Sequence, residues 1–258
     1  MNIIVCVKQV PDTEARIKCK DGANGIVRDG IKLCMSPYDE FALEAALRLK
    51  EQHGGTVTVL AVGPDRAKEV LKTGLAVGAD KAVLVSDASL AGTDGRGVAV
   101  TLAAALKKLP HDLVLFGKKA VGVDRGQVGP QVAHRLDLPF VSQAGELAHE
   151  NGAMRVVREI EGGQEHFEVA LPAMLSVDKT ANELRKASLK GIMGAKSKPI
   201  QAWSLSDLGL SAADVAPRLQ VVHTEHPPQR GAGRIIDGEA VAAARELVRL
   251  LREEAKVI

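Results

Sequence analysis

The stretch Gly117-Lys-Lys-Ala-Val-Gly-Val-Asp-Arg-Gly-Gln-Val-Gly-Pro-Gln131 is where this sequence could do chemistry. It follows the apolar run 112–117 and leads into a helical pattern, so its N–H groups fall at a strand end beside a helix N-terminus. That placement makes an anion site of the kind open α/β sheets use for phosphates. Gly122 and Gly126 admit backbone angles closed to other residues. Arg125 adds a positive charge. The same glycines also suit a plain βα turn that only needs tight packing, and the residue types leave both readings open.

Two further turns belong to the same edge if the strands run parallel. Ser36-Pro37-Tyr38-Asp39 opens a helix, with Ser36 expected as its N-cap and Pro37 at the first helical position. Val62-Gly63-Pro64 closes an apolar run. A nucleoside fits between these turns, although simple capping explains their composition equally well.

Other sources of chemistry are missing from the sequence. There is no G-x-G-x-x-G after the first strand and no G-x-x-x-x-G-K-[ST], which excludes the common dinucleotide and P-loop phosphate grips. No G-x-S-x-G or H-E-x-x-H occurs. The seven histidines are scattered, and Cys6, Cys19 and Cys34 lack metal-ligand spacing. No catalytic residue and no metal site is expected. A carrier or binder fits this better than a hydrolase.

The elements that must position the turns are legible from periodicity. Runs 2–8, 56–62, 81–86 and 112–117 are apolar throughout, as strands buried on both faces are. Helical patterns separate them: one from Ser36 with Phe41, Ala45 and Leu49 on one face, one from about Asp65 to Val77, one from near Asp94, and one after Gly126. Alternation of this kind means right-handed crossovers and a doubly wound, mostly parallel sheet. Runs 154–160 and 165–171, joined by Glu161-Gly162-Gly163-Gln164, read as an antiparallel hairpin insertion. Residues 172–177 form one more core strand. Residues 216–238 are rich in proline and glycine and form an extended linker. A helix from about Glu239 to Lys256 follows, with Val241, Ala244, Leu247 and Leu251 on one face.

The net charge of +2 over 258 residues and an aromatic fraction of 2% give no basic field or stacking platform for nucleic acid. No run approaches the length of a membrane span or a secretory h-region. The expected setting is cytoplasmic, without membrane insertion. Leu189, Ile192 and Met193 stand among Lys186, Lys190, Lys196 and Lys198, a mixture suited either to docking on an acidic partner or to an ordinary solvated helix.

Together these pieces resemble the beta subunit of electron-transfer flavoproteins. The likeness rests on the opening V-x-V-K-Q, Ser36-Pro-Tyr-Asp-Glu-Phe-Ala-Leu-Glu-Ala45, Val62-Gly-Pro64, Gly78-Ala-Asp80, the loop from Gly117 through Gln127-Val-Gly129, and Ala187-Ser-Leu-Lys-Gly-Ile-Met193. It implies a fold like that of adenine-nucleotide alpha hydrolases, with a nucleotide-binding domain over residues 1–202 that contains a recognition loop at 179–198. An arm over 203–258 would embrace a larger alpha subunit carrying most of the FAD. Adenine-nucleotide contacts would fall on Cys6, Ser36, Pro37, Asp39, Val62, Gly122, Val123, Asp124, Arg125, Gly126, Gln127, Val128 and Gly129. The nucleotide would be AMP in a structural role, or a second FAD in an electron-bifurcating member. Leu189, with Ile192 and Met193, would dock on an acyl-CoA or other dehydrogenase, and electrons would pass to a quinone reductase or another acceptor.

The sequence departs from the family in places. Ser36 stands where asparagine is usual, and Thr13 stands where some members carry a flavin-facing aromatic. Val123 and Arg125 replace the glycine and threonine of the bifurcating D-G-D-T-A-Q-V-G-P. A stand-alone adenine-nucleotide hydrolase is the alternative from another class. It would need a metal near Asp39 and Asp124.

Overall fold

The computed structural model describes residues 1–20, 24–228 and 231–258. In chain order the main elements begin with β1 (Asn2–Cys6), the short pair β2 (Gln9–Pro11) and β3 (Leu33–Met35), α1 (Pro37–His53), β4 (Thr56–Val62), α2 (Lys68–Val77), β5 (Lys81–Val85), α3 (Gly95–Leu106), β6 (Leu113–Gly117) and α4 (Val128–Leu136). They continue with β7 (Phe140–Ala144), β8 (Glu146–Glu150), β9 (Ala153–Ile160), β10 (Gly163–Ala170), β11 (Ala173–Val177), α5 (Leu189–Ser197), β12 (Ile200–Trp203) and α6 (Ala240–Glu253).

Seven strands form one sheet in the order β12-β5-β4-β1-β6-β11-β7. Every pairing in it is parallel. The sheet is doubly wound. One apolar cluster joins it to α1, α2 and α5, and another joins it to α3 and α4. The chain steps outward from β1 through β4 to β5, then returns to β6 on the other side of β1. That reversal creates a crevice at the carboxyl ends of β1 and β6, the usual ligand position in such sheets.

The apolar runs became the central strands because each residue along them is buried on one face or the other, as in β6, where Leu113, Val114 and Leu115 are fully buried. Helix α1 starts on Pro37, carries Asp39 and Glu40 in its first turn and Lys50 and His53 in its last, and stops where Gly54 turns to φ 70°. The hairpin expected around Gly162 is present as β9 and β10, with β8 added on its other edge to make three antiparallel strands.

One sequence expectation needs correction. Ser36 does occupy the N-cap position of α1, but its hydroxyl makes no cap bond to the helix; it accepts from the Val121 N–H at 3.4 Å instead. On α6, Val241 and Leu247 of the apolar face read from the sequence are exposed, and Leu250 is buried. Residues 229–230 of the expected linker lie outside the described residues. Leu205, Leu208 and Val215, which precede that linker, are buried in the cluster around α3.

A candidate nucleotide crevice

The crevice is built around Asp39. Its side chain is 6% exposed and lies between the ends of β1 and β6. One carboxylate oxygen accepts the Lys8 N–H at 2.8 Å and the other accepts the Gly117 N–H at 3.1 Å. The first turn of α1 therefore ties together the two strand ends where the sheet reverses. The close fit needs glycine at 117: a Cβ there would stand 2.4 Å from the Asp39 carboxylate and 2.6 Å from the Tyr38 carbonyl carbon. Burial is the strongest influence on Asp39. It outweighs the two N–H donors and Lys8, and the carboxyl is pushed up to about 7. Beside it, burial pushes the Cys6 thiol up, and the Asp39 charge adds to this.

The glycine-rich loop arches over the carboxyl end of β6. Gly122, Asp124 and Gly126 have φ of 81°, 54° and 60°. Val123 and Arg125 between them are not in the left-handed region, so the backbone alternates in hand. Alternation of this kind turns successive N–H groups to one side as an anion-binding nest. The N–H groups of Val123 and Asp124 bond to the Ala120 carbonyl. Those of residues 125–129, up to the first turn of α4, have no acceptor among the described residues. They sit at the positive end of the α4 dipole. Gly129 serves packing: a Cβ there would press the Phe140 ring at 3.0 Å.

Three cations face this space. Lys8 is solvent-exposed along its side chain, yet the crevice wall lowers its pKa. Asp39 opposes that lowering, while Arg28 and Arg125 add to it by repulsion. The charges of Arg28 and Arg125 thus reach Lys8, and none of the three forms an ion pair with a carboxylate among the described residues. Lys118 and Lys119 are neutralised by Asp178 at 2.8 Å and Asp124 at 3.5 Å. Converging cations over unpartnered N–H groups are complementary to a phosphate.

The structure thus brings Cys6, Ser36, Pro37, Asp39 and the loop from Gly122 to Gly129 to one edge, with Val62 at the end of the neighbouring β4. Val123 points outward, half exposed. Lys8 and Arg28 were missed by the sequence reading. Lys8 carried a usable signal, its place directly after the first strand, but Arg28 carried none, because only tertiary folding brings it near. The two carboxylates a hydrolase would need are engaged elsewhere, Asp39 by backbone N–H groups and Asp124 by Lys119. Leu189, Ile192 and Met193 lie away from the crevice on α5. Ser188 caps that helix by accepting the Gly191 N–H at 3.0 Å. Gly191 lets α5 close onto the Ala76 carbonyl of α2, burying Ala195 and leaving the three apolar side chains exposed.

A doubly wound parallel sheet with a candidate anion-binding crevice at its reversal defines the class: a doubly wound α/β protein. The model of the electron transfer flavoprotein domain matches residues 24–208. The chain is 39% identical to the electron transfer flavoprotein subunit beta of Bacillus subtilis (strain 168) over the full length of both. It is 41% identical to subunit CarD of the caffeyl-CoA reductase-Etf complex of Acetobacterium woodii, over 98% of this chain and 99% of that one. It is 38% identical to protein FixA of Azorhizobium caulinodans, over 81% of this chain and 77% of that one. The chain belongs to the electron transfer flavoprotein beta-subunit family.

Proposed function

We propose that this chain is the nucleotide-holding half of an electron-carrying heterodimer. Its partner is a larger alpha subunit that carries most of the FAD, and its own crevice holds AMP as a structural ligand. The observation that carries the reading is the alternating-hand loop at residues 122–126, whose following N–H groups and nearby cations face the crevice at the sheet reversal. The donor set fits an adenine nucleotide: N–H groups, Lys8, Arg28 and Arg125 for phosphate, and the apolar strand ends at Cys6 and Val62 for the nucleoside. FAD, when bound between the subunits, supplies the electron transfer. The chain's own residues shape and position the site.

The arm and α6, within residues 203–258, dock on the alpha subunit. Val241, Leu247 and Val248 supply an exposed apolar face for this. Leu189, Ile192 and Met193 dock on an acyl-CoA or other dehydrogenase, and a quinone reductase or other acceptor takes the electrons. A second FAD in place of AMP is favoured by one observation: three converging cations exceed what a monophosphate needs and suit a pyrophosphate. No helix among the described residues is long and apolar enough to cross a membrane.

Acid extraction of the intact heterodimer followed by chromatography tests the site. AMP, with one flavin per heterodimer, is the expected result. Two flavins and no AMP would select the second-FAD reading. Recovery of neither AMP nor a second flavin would defeat the nucleotide assignment.

A further inference from the structure

We infer that Arg185 is a positioning residue: clamped on α1, it holds residues 182–188 in place and so aims Leu189, the first residue of α5, at the docking partner. The inference rests on the proposed reading in which Leu189 meets a dehydrogenase, but the clamp itself is defined by bonds within this chain.

The segment has no regular structure of its own. Residues 182–188 belong to no helix or strand, and none of them is fully buried. Helix α1 holds them instead. Phe41, Glu44, Arg48 and Glu51 recur every three or four residues and so line one face of that helix. The segment meets each of them in turn. Asn182 donates its side-chain amide to the Phe41 carbonyl at 3.0 Å. Arg48 donates to the Glu183 carbonyl at 2.8 Å. Arg185 reaches two carboxylates at once. Its Nε donates to Glu44 at 2.7 Å, and one terminal nitrogen donates to Glu51 at 2.5 Å. The other terminal nitrogen bridges Glu44 and Glu51 at 3.1 and 3.0 Å. The Arg185 backbone N–H adds a bond to Glu44 at 3.3 Å.

Glu44 has a cation without Arg185. Arg48, one turn along α1, donates to it at 2.8 Å. A second guanidinium, brought from 141 residues away, therefore acts chiefly on its own segment. Burial decides how firmly. The Glu44 side chain is 4% exposed and that of Arg185 30%, so the pair is shielded from water and salt, unlike exposed pairs, which contribute little.

Downstream, Leu189 stands 76% exposed. It opens a helix of nine residues, too short to hold its own first turn in place. Anchors on both sides do so. On the far side, Gly191 lets α5 close onto the Ala76 carbonyl, and Ala195 is buried. On the near side, the clamp lies four residues before Leu189, about 14 Å of chain at full extension. Ser188 caps the helix between them. An exposed apolar side chain held in this way has little freedom left to lose on binding, and preorganisation of this kind raises affinity. Freed from α1, residues 182–188 would open at far lower cost than the core, and the first turn of α5 would fray with them.

The test uses Arg185→Lys, which keeps a positive charge beside Glu44 but cannot span both carboxylates. Asn182→Ala is its partner variant and leaves the ion pair untouched. Electron transfer from an acyl-CoA dehydrogenase, supplied with its acyl-CoA, is followed at varied concentrations of the full heterodimer. Arg185→Lys is expected to raise KM for the heterodimer on the order of tenfold, and Asn182→Ala to raise it less, with kcat unchanged in both. In parallel, amide hydrogen exchange of the heterodimer alone is expected to speed up across residues 183–192 in both variants and to stay unchanged in α2. Leu189→Ala is expected to raise KM with wild-type exchange at residues 183–187. Wild-type KM or wild-type exchange in both variants would overturn the positioning role, and so would an effect on kcat alone. A wild type that takes no electrons from the dehydrogenase, or a KM unmoved by Leu189→Ala, would defeat the docking reading instead, and the exchange rates would then decide the clamp by themselves.

Discussion

Replacing Asp39 with asparagine should change how stability depends on pH, in a direction opposite to that of most carboxylates. Asp39 is buried, and its carboxyl is raised from the ordinary 3.8 to about 7, because burial outweighs the Lys8 and Gly117 N–H donors. Between those two values the folded chain binds a proton that the unfolded chain has released. Stability from this group is therefore fully present below the unfolded value and is lost as pH rises toward 7. Each pH unit in that window is worth about 1.4 kcal/mol. From pH 4.5 to pH 8 the wild type should lose, relative to Asp39→Asn, on the order of 3 kcal/mol. The assay is urea denaturation of both proteins at half-unit intervals across that range, with the difference in unfolding free energy plotted against pH. A flat difference would refute the reasoning. A difference that grows with pH in favour of wild type would show the two N–H donors outweighing burial, with the carboxylate as the favoured form throughout.

Further expectations concern single contacts. Gly117→Ala forces a methyl against Asp39 and Tyr38 and should cost about 2 kcal/mol in urea denaturation, with nucleotide retention falling in parallel. Arg185→Leu removes the partner at 2.7 Å from Glu44, whose side chain is 4% exposed. Arg48 remains, so the cost should be about 2 kcal/mol near neutral pH. Burial raises the Glu44 carboxyl, but its bonds to Arg185 and Arg48 outweigh this and hold it below the ordinary 4.5. That contribution is present above the ordinary value and lost in acid, so the gap between variant and wild type should narrow as pH falls below about 4.5. The double change Arg28→Ser with Arg125→Ser should weaken nucleotide binding and flatten its dependence on salt, as measured by titration calorimetry at two ionic strengths. Leu247→Glu on the exposed face of α6 should abolish association with the alpha subunit in gel filtration while leaving the unfolding midpoint of the chain unchanged.

The central strands were legible because they are buried on both faces and so carry no polar interruption. The strands that escaped reading are those where that condition fails. In β7, Ser142 and Gln143 break the apolar run; Gln143 takes φ 59°, and the register with β11 shifts after Leu175. In β12, an edge strand, Gln201 and Ala202 are exposed and the pattern is too weak to see. The short pair β2 and β3 depends on pairing across the 12–32 segment, which no local periodicity encodes. The site shows the same division. The glycine-rich loop and the start of α1 follow strand and helix signals, so their shared edge could be read. The bond partners of Asp39 and Ser36 could not be, because burial at the sheet reversal redirects both side chains from local to long-range donors.

The glycines of residues 117–130 look alike in the sequence but do different physical work. Gly117 exists so that Asp39 can close onto β6, and Gly129 exists so that α4 can seat against Phe140. Only Gly122 and Gly126, with open space beside Gly122 and positive φ at both, shape the surface a ligand would meet. The Gln127-Val-Gly-Pro130 half, where the family motif agrees best, includes a glycine whose space is taken by the Phe140 ring and a proline with no N–H to offer. It anchors the helix and supplies N–H groups whatever the ligand. Under the proposed nucleotide reading, discrimination between a monophosphate and a pyrophosphate falls to residues 122–126 and to the nearby cations. That reading puts the choice of nucleotide on Arg125, Lys8 and Arg28, two of which lie outside the loop altogether.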